Sequence, residues 1–402
     1  MENTDVLISG AGIAGPTLAY WLQRAGFPVT VVERAPAPRP GGQAVDLRGA
    51  GRTVVDRMGL LEQARAAGVD QRGLALVRES GRIAARMPAD SFGGEGIVSE
   101  IEILRDDLAG LLHQAARSGV EYLFDDTVTG LTQDADGVDV TFESAAPRRF
   151  GLVVGADGLH SVVRALAFGT EAEHLRRLDI YNAWFTADLD LGLDGWYQMF
   201  NAPGGLVASA RPGRHPGESK VSLSFRSGPL DYDRRDTAAQ QRLLAERFAG
   251  LGWKTPQLLA AMGEASDFFF DSMSQVHLDR LHRGRVVLLG DAAHCPTPLT
   301  GLGTSLALVG AYVLAGELAA AGDHRTAFRA YEQIIRPYAD QAQELPPGGA
   351  AGYAPNSAFA IGMRALSMRS MNHWPMRNIL AAQFAKARDI ALPDYDRRPA
   401  LV

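Results

Sequence analysis

The stretch that decides the fold is Gly10-Ala11-Gly12-Ile13-Ala14-Gly15, which matches the pattern G-x-G-x-x-G. The short apolar run Asp5 to Ser9 precedes it, a helical pattern from Pro16 to Ala25 follows it, and Val29 to Glu33 is a second apolar strand. This order predicts a βαβ unit with parallel, buried strands. In such a unit the three glycines permit a tight turn, a close approach of backbone to a pyrophosphate, and close packing of helix on sheet.

An acidic residue, Glu33, ends the second strand about 20 positions beyond the glycines, where it can accept hydrogen bonds from a ribose hydroxyl. Its charge disfavours the 2′-phosphate of NADP at this site. The positive end of the helix after Ile13 and Ala14 would face the phosphates. This motif predicts dinucleotide binding and leaves both FAD and NAD possible.

The composition is that of an ordinary globular protein: 402 residues, 46% hydrophobic, 21% charged, with a net charge of -6. The length suggests two or three structural units, and the charge argues against nucleic acid or an anionic membrane as partner. The single cysteine, Cys295, excludes an internal disulfide and fits a reducing compartment. With no signal-peptide pattern and no run of 18 or more apolar residues, we expect a cytoplasmic protein without a transmembrane segment.

Two further segments combine an apolar strand with Gly and Asp. The first runs from Gly151 to Asp157-Gly158 and a helix start, and the second from Gly284 to Gly290-Asp291. The second continues through Pro298 and Gly301-Leu302-Gly303 into a long apolar helix from Thr304 to Ala321. Asp291, at the carboxyl end of a strand, can accept a bond from a ribityl hydroxyl, and the two loop glycines let backbone lie against a flat ring.

The order of the three motifs resembles that of the group A flavoprotein monooxygenases, which share the p-hydroxybenzoate hydroxylase fold, and most of all their compact tetracycline-inactivating type. The resemblance covers about residues 1–335. It implies an α/β protein with a discontinuous Rossmann-like FAD-binding domain, an antiparallel-sheet substrate domain and a C-terminal helix. The expected boundaries are 1–73, 102–172 and 276–345 for the FAD-binding domain, 74–101 and 173–275 for the substrate domain, and 355–390 for the bridging helix.

The same resemblance assigns roles to individual residues. Glu33 and Arg34 correspond to contacts of the adenosine half of FAD, Arg39 to an NADPH contact, Asp46 to a flavin contact, and Arg105 to an FAD contact. Asp157 belongs to a motif linked to both FAD and NAD(P)H, with a helix N-cap as its alternative role; for Arg39 the alternative is a solvated loop. The full expected cofactor set is Gly10, Gly12, Ile13, Ala14, Gly15, Glu33, Arg34, Arg39, Asp46, Arg105, Asp157, Asp291, Pro298, Gly301 and Gly303.

The chemistry implied by the resemblance is carried by the cofactor, with no catalytic side chain and no metal. NAD(P)H reduces FAD, O2 adds to give a C4a-hydroperoxide, and one oxygen atom passes to an aromatic, phenolic or polyketide-like small molecule. Hydroxylation and Baeyer–Villiger insertion both remain open. The sequence has no second G-x-G-x-x-G, which fits a nicotinamide that docks only transiently. His294 and Cys295 lie inside the flavin loop and are expected to be packing residues.

The substrate is expected under the antiparallel sheet between Tyr181 and Ser227, which is rich in aromatic residues. Phe185, Met199 and Phe225 are the candidate pocket residues, with sheet core as the alternative interpretation. Two other functions stay open: an FAD-dependent reductase or dehydrogenase of the same superfamily, and a flavin-binding, drug-sequestering protein without turnover. A flavin halogenase is disfavoured because no W-x-W-x-I-P segment is present. We expect a monomer or weak homodimer.

Overall fold

The computed structural model describes residues 4–38, 41–91, 101–371 and 390–395. The strands, numbered in chain order, are β1 (Val6–Ser9), β2 (Val29–Glu33), β3 (Ala44–Asp46), β4 (Gly73–Val77), β5 (Ile83–Pro88), β6 (Glu102–Leu104), β7 (Val120–Phe124), β8 (Val128–Gln133), β9 (Val138–Phe142), β10 (Arg148–Phe150), β11 (Leu152–Gly155), β12 (Leu175–Asp188), β13 (Trp196–Ala202), β14 (Leu206–Pro212), β15 (Glu218–Arg226), β16 (Phe269–Val276), β17 (His282–Arg283) and β18 (Val286–Leu288). The helices are α1 (Ala14–Arg24), α2 (Gly49–Arg57), α3 (Leu61–Ala66), α4 (Arg105–Ala116), α5 (Val162–Ala167), α6 (Glu171–His174), α7 (Thr237–Arg247), α8 (Thr255–Met262), α9 (Asp291–His294), α10 (Gly303–Ala320), α11 (His324–Ala342), α12 (Gly349–Tyr353) and α13 (Ala358–Ser370).

The first large sheet has the strand order β17-β18-β11-β1-β2-β7 and is parallel except for the pair β17–β18. Both faces of its central strands are covered. Helices α1 and α10 lie on one face, and α5 with the three-stranded sheet β10-β9-β8 lies on the other. The central strands are therefore continuous apolar runs. Three of its parallel neighbours, β1, β11 and β18, are followed by glycine-containing turns. The three motifs of the sequence therefore meet at one edge of this sheet.

The second large sheet has seven strands in the order β16-β12-β15-β14-β13-β4-β5. All neighbours are antiparallel except β13 and β4, which run parallel. One face packs on α7 and α8, and the opposite face packs on α13 and on the segment that carries β3 and β6. The strand–turn pattern predicted between Tyr181 and Ser227 is confirmed, and so is the fold class as a whole.

Helix α10 is long and apolar enough to cross a membrane by length and composition, but 72% of the helix is buried inside the protein. It packs against α1, α2 and α11. Burial on several sides accounts for its apolar character, because a helix enclosed by protein needs no polar face.

Two details differ from the sequence prediction. The sequence from Tyr122 to Phe142 predicts a hairpin with Asp136-Gly137 as its turn. In the structure the hairpin consists of β8 and β9 with that turn, whereas Tyr122 belongs to β7 and pairs in parallel with β2. The predicted C-terminal helix begins at Ala358, and its described part ends at Ser370; residues 372–389 lie outside the described ranges.

Helix α13 contacts β5 and β13 of the seven-stranded sheet. Residues 390–395 then lie against the other half of the molecule, where Tyr395 donates a 2.7 Å hydrogen bond to the Glu317 carboxylate of α10. The described C-terminal residues therefore contact both parts of the molecule: α13 lies on the seven-stranded sheet, and Tyr395 lies on α10.

Candidate functional site

The glycine turn after β1 depends on the absence of side chains. A Cβ on Gly15 would lie 1.9 Å from the Gly10 carbonyl oxygen, and a Cβ on Gly10, whose φ is +109°, would lie 2.5 Å from the Ala156 carbonyl oxygen. Both distances are shorter than the closest approach of a Cβ to an oxygen atom in proteins, so both positions require glycine. Helix α1 begins at Ala14, and no side chain caps its N-terminus, so this end can receive an anion.

Glu33 lies at the end of β2 against this turn. Its carboxylate accepts hydrogen bonds from the backbone N–H groups of Ala11 (2.8 Å) and Ala35 (2.9 Å). The two bonds fix the carboxylate beside the glycine turn, where a ribose is expected. Arg34 is exposed, and Arg39 lies outside the described residues.

The turn after β18 comes close to the first turn. A Cβ on Gly290 would lie 3.1 Å from the Cβ of Ala14, so the two loops touch. Arg105, the first residue of α4, extends its Nη2 to 3.3 Å from the Cβ position of Gly12 and interacts electrostatically with the exposed carboxylate of Asp291. The glycine turn, Arg105 and Asp291 therefore lie together.

The segment before α10 lies beside these residues. Pro298, exposed, opens a single 3-10 turn that ends at Gly301 in the left-handed conformation with φ +66°. A Cβ on Gly301 would lie 2.9 Å from Oδ2 of Asp46, and a Cβ on Gly303 would lie 3.9 Å from Oδ1 of Asp291. The loop backbone thus lies between two carboxylates, with the uncapped N-terminus of α10 directly after it.

These features fit FAD. The uncapped start of α1 suits the pyrophosphate, Asp291 suits a ribityl hydroxyl, and the glycine-lined loop suits a flat ring. The residues come from stretches near positions 10, 46, 105 and 291, and the structure brings them close to one another.

Asp157 binds the N-terminal end of helix α5. Its carboxylate accepts hydrogen bonds from the backbone N–H groups of Val162 (2.8 Å) and Val163 (3.1 Å) and from the Ser161 hydroxyl (2.5 Å). The N-cap residue of α5 is Ser161, whose hydroxyl accepts a 2.9 Å hydrogen bond from the Arg164 N–H, and Asp157 supports the same helix end from outside the cap position. Arg164, which is 1% exposed, donates to the Ala292 carbonyl (2.9 Å) and so joins this segment to α9.

A charged cluster that the sequence analysis missed lies beside Asp46. Glu102 is the register partner of Asp46 in the β3–β6 ladder, and Arg211 of β14 donates a 2.9 Å hydrogen bond to Glu102. Asp46 also pairs with Arg48 at 2.7 Å. The pKa of Glu102 is raised to about 7, chiefly because burial disfavours its charged form, with the positive charge of Arg211 opposing the rise. The sequence feature that could have revealed the cluster is Glu102 itself, a charged residue inside the apolar run from Ile101 to Leu104. A charge buried in such a run needs a partner.

The register of the seven-stranded sheet shows which side chains share the face of Arg211. Asn182 is opposite Ser224 on β15, and its amide oxygen accepts hydrogen bonds from the hydroxyls of Ser222 (2.8 Å) and Ser224. Tyr353 is hydrogen-bonded to Ser224 at 2.9 Å, and Ser209 lies opposite Ser222. We call these five residues the polar roof. The Nδ2 atom of Asn182 is buried and has no partner among the described residues.

Phe185 and Phe225 point away from this face. They belong to the core cluster that packs on α7 and α8 with Leu244, Phe248 and Leu258, and they are 1% and 0% exposed. The structure does not bring them to the polar roof, because alternation places them on the opposite side of the sheet. This corrects the expected pocket set, whose alternative interpretation was sheet core.

Met199 does share the face of the polar roof, since it is the register partner of Ser209. It is 3% exposed, clusters with Met368 of α13, and its sulfur lies 3.2 Å from a guanidinium nitrogen of Arg364. Met199 is therefore on the expected side of the sheet but is covered by α13.

His294 and Cys295 are both buried, as the sequence analysis expected of packing residues. Burial raises the pKa of the Cys295 thiol well above its ordinary value, so the thiol stays protonated and is a poor nucleophile. Within the described part of the chain, no group of three or more His, Cys, Asp or Glu side chains is arranged to hold a metal ion.

Comparisons with known proteins agree on one family. Residues 3–345 match the FAD binding domain family. The chain is 46% identical over 352 residues to an uncharacterised protein of Mycobacterium tuberculosis, covering 87% of this chain and 94% of that protein. It is 36% identical over 345 residues to a flavin-dependent monooxygenase of Legionella longbeachae, covering 86% of this chain and 88% of that protein. Among solved structures, the tetracycline destructase Tet(55) superposes with a TM-score of 0.81 at 32% identity, covering 98% of this chain and 99% of that one.

Proposed function

This chain belongs to the FAD binding domain family and is a flavin-dependent monooxygenase, and from that premise we propose that it uses NAD(P)H and O2 to hydroxylate a phenolic or polyketide-like small molecule. The proposal rests on one observation: the loop that contains Gly301 and Gly303 lies close to the face of the seven-stranded sheet that carries Arg211. Asp46 abuts Gly301 of the loop, and Arg211 of that sheet reaches Glu102, the ladder partner of Asp46.

We assign the parts of FAD to residues as follows. The start of α1, with Gly10, Gly12, Ile13, Ala14 and Gly15, holds the pyrophosphate. Glu33 and Arg34 contact the adenosine half, and Arg105 and Asp291 contact the linker between phosphate and ring. Pro298, Gly301, Gly303 and Asp46 surround the ring. Asp157 contributes by fixing the segment after β11, through the hydrogen bonds it accepts at the start of α5.

The domain division that goes with this assignment is the one expected from the sequence. We propose an FAD-binding domain of residues 1–73, 102–172 and 276–345, and a substrate domain of residues 74–101 and 173–275. The pairing of β4 and β5 with β13 supports the inclusion of the segment after residue 73 in the substrate domain. NAD(P)H is the proposed electron donor, and it would dock transiently, since only one glycine motif of the dinucleotide type is present.

The polar roof bears on the substrate. Its hydroxyl and amide groups favour a substrate with several oxygen atoms over a purely hydrocarbon ring, because unpaired buried donors such as Asn182 Nδ2 need an acceptor. A polyoxygenated phenol or polyketide offers such acceptors, and the similarity to a tetracycline destructase supports the same class.

The side chains of this protein have positioning roles in the proposed reaction. Bound FAD supplies the electron transfer and the activation of O2. The polar roof orients the substrate above the loop, and α13, which covers Met199, excludes water from one side of the sheet face. The uncapped N-terminus of α10 directly follows the loop that would hold the flavin ring. Its positive field would stabilise a negative charge on that ring.

The test is a coupled measurement on the purified yellow protein. NADPH and NADH oxidation and O2 uptake are followed with and without a panel of simple phenols and a tetracycline-type polyketide. We expect one panel member to stimulate both rates and to yield a product heavier by one oxygen atom, labelled when the gas is 18O2.

Two results contradict the proposal. Substrate reduction with nicotinamide consumption and no O2 uptake would identify a reductase of the same superfamily. Tight binding of panel members without stimulated turnover would identify a sequestering protein.

A further inference from the structure

The Asp46–Glu102 pair is a buried acidic pair at the boundary between the two large sheets. The two residues are register partners in the β3–β6 ladder, and burial together with the negative charge of Asp46 raises the pKa of Glu102. A proton held between two neighbouring carboxyl groups removes their mutual repulsion and provides the donor that two ionised carboxylates lack. The exposed fraction is 15% for Asp46 and 4% for Glu102, so solvent does little to separate their charges.

The charged groups around the pair are balanced. Among the described residues that face it, Arg48 follows β3 and binds Asp46 at 2.7 Å, and Arg211 comes from β14 and binds Glu102 at 2.9 Å. The ring of Tyr197 on β13 lies 4.1 Å from the Arg211 guanidinium carbon and holds it in place. With both carboxyls ionised the four charges cancel, and with one shared proton the cluster carries one positive charge.

The pair touches the loop assigned to the flavin ring. Oδ2 of Asp46 lies 2.9 Å from the Cβ position of Gly301, with no side chain between them. When electrons enter a ring beside this loop, negative charge appears next to Asp46. A new negative charge raises the proton affinity of a neighbouring carboxyl pair.

We propose that Asp46 and Glu102 form a redox-linked proton pair, which takes up one proton from solvent when two electrons enter bound FAD. The inference rests on the proposed FAD site. The balance is two electrons from the reductant to FAD, one proton bound by FAD itself, and one additional proton to the carboxyl pair. Glu102 acts through Asp46, and the one positive charge gained by the cluster offsets the one net negative charge that would remain on the reduced ring.

The pH window follows from the state of the pair before reduction. Because the pKa of Glu102 is already raised to about 7, the pair holds its proton below that pH and has none to gain on reduction. Above about pH 7 the oxidised protein has lost the proton, and reduction restores it. A macroscopic value of this kind belongs to the pair and not to either residue.

The experiment is a redox titration of the FAD-loaded protein with dithionite and mediator dyes at a series of pH values, for wild type, Glu102→Gln and Glu121→Gln. Glu121 is the control because its carboxylate is also bound to an arginine, Arg148, at 2.7 Å. It lies at the amino ends of the parallel strands, at the opposite end of the sheet from the glycine turns. Each proton taken up with two electrons adds about 30 mV per pH unit to the slope of the midpoint potential.

We expect wild type and Glu121→Gln to show the steeper slope above about pH 7, and Glu102→Gln to lack that additional component of up to about 30 mV per pH unit. Equal slopes in wild type and Glu102→Gln overturn the inference. An infrared difference spectrum, reduced minus oxidised, provides a second measurement on wild type alone. The carbonyl stretch of a protonated carboxyl must appear on reduction above about pH 7, and its absence overturns the inference even where the variant does not fold.

The outcomes separate this inference from the proposed function. A wild-type protein that does not hold FAD refutes both. A yellow protein that turns over the substrate panel but shows no additional proton refutes the proton pair alone.

Discussion

The Nε2 atom of His160 lies 2.6 Å from Oδ2 of Asp271, which ties the segment after β11 to the edge strand β16 of the seven-stranded sheet. On the other side of the ring, Nδ1 lies 2.7 Å from Oε2 of Glu171. Both ring nitrogens therefore face acceptors, and only the imidazolium form has two donors. The hydrogen bonds to Asp271 and Glu171 raise the pKa of His160 above its ordinary 6.5, although burial alone would lower it.

This contact predicts a pH-dependent stability difference between wild type and His160→Gln. A raised pKa in the folded state means that the stabilisation is fully present below the unfolded value of 6.5 and is lost as the pH rises through the folded value. We expect the melting temperature of wild type to exceed that of the variant most at low pH, with the gap closing at alkaline pH. His215→Gln, at a side chain 62% exposed, is the matched control. A gap that stays constant with pH contradicts the prediction.

His294 predicts the opposite dependence. Burial lowers its pKa to about 3, and neither ring nitrogen has a hydrogen-bond partner among the described residues. Because the unfolded chain binds the proton more readily, stability falls as the pH drops from 6.5 toward 3, by up to roughly 5 kcal/mol at the acid limit.

The check is urea unfolding of wild type and His294→Leu across this acid range. The variant should lose less stability on acidification than wild type, since it has no imidazole to protonate. Parallel curves would show that the imidazole does not contribute to acid unfolding.

The two faces of the seven-stranded sheet predict different effects of substitution. Phe225→Ala should cost about 3–5 kcal/mol of unfolding free energy, because Phe225 is 0% exposed in the core against α7 and α8, and should leave the KM of the folded enzyme unchanged. Ser222→Ala removes one hydroxyl of the polar roof. We expect this change to weaken substrate binding by about 1 kcal/mol, which corresponds to a roughly fivefold rise in KM.

The measurements are urea unfolding, which gives the free energy of unfolding, and steady-state kinetics, which gives KM, on both variants. A KM effect in the folded fraction of Phe225→Ala, together with none in Ser222→Ala, would show that the assignment of faces is reversed.

Gly301→Ala is expected to weaken cofactor binding. The left-handed backbone at φ +66° costs an alanine about 1–2 kcal/mol, and its Cβ would also press on Asp46 from 2.9 Å. We expect FAD to bind roughly tenfold more weakly, as measured by fluorescence titration of flavin-free protein. Gly322→Ala is the control, since its φ is not in the left-handed range and its Cβ meets nothing within 4 Å. Equal affinities in the two variants would contradict this role of the loop.

Part of the glycine motif could be predicted from the sequence because its constraint is local. Gly15 is required by its closeness to the Gly10 carbonyl oxygen in the same turn, and the strand Val29–Glu33 was predicted with its observed bounds, whereas the contact that requires Gly10 is with Ala156, far along the chain. The order of the three motifs also sufficed for the family, since the parallel strands carry their turns to the same edge of the sheet.

The sheet faces and the charged cluster could not be predicted in the same way. Alternation divides β12 and β15 into two faces but does not say which one meets α7 and α8, so Phe185 and Phe225 were given to the wrong side. Glu102 and Arg211 are 109 positions apart, and their contact depends on the packing of two sheets. For Asp157, the sequence offered a cofactor contact or a helix N-cap; in the structure its carboxylate accepts from the N–H groups of Val162 and Val163, but the N-cap residue itself is Ser161.

The candidate cofactor site is assembled from segments near positions 10, 46, 105 and 291, and so it exists only while these segments are folded together. Ligand binding is then thermodynamically linked to folding: free FAD at a hundred times its dissociation constant adds about 2.7 kcal/mol to the stability of the native state. Preparations that differ only in flavin occupancy will melt at different temperatures. The yellow colour of a sample is consequently a measure of its resistance to unfolding as well as of its redox competence.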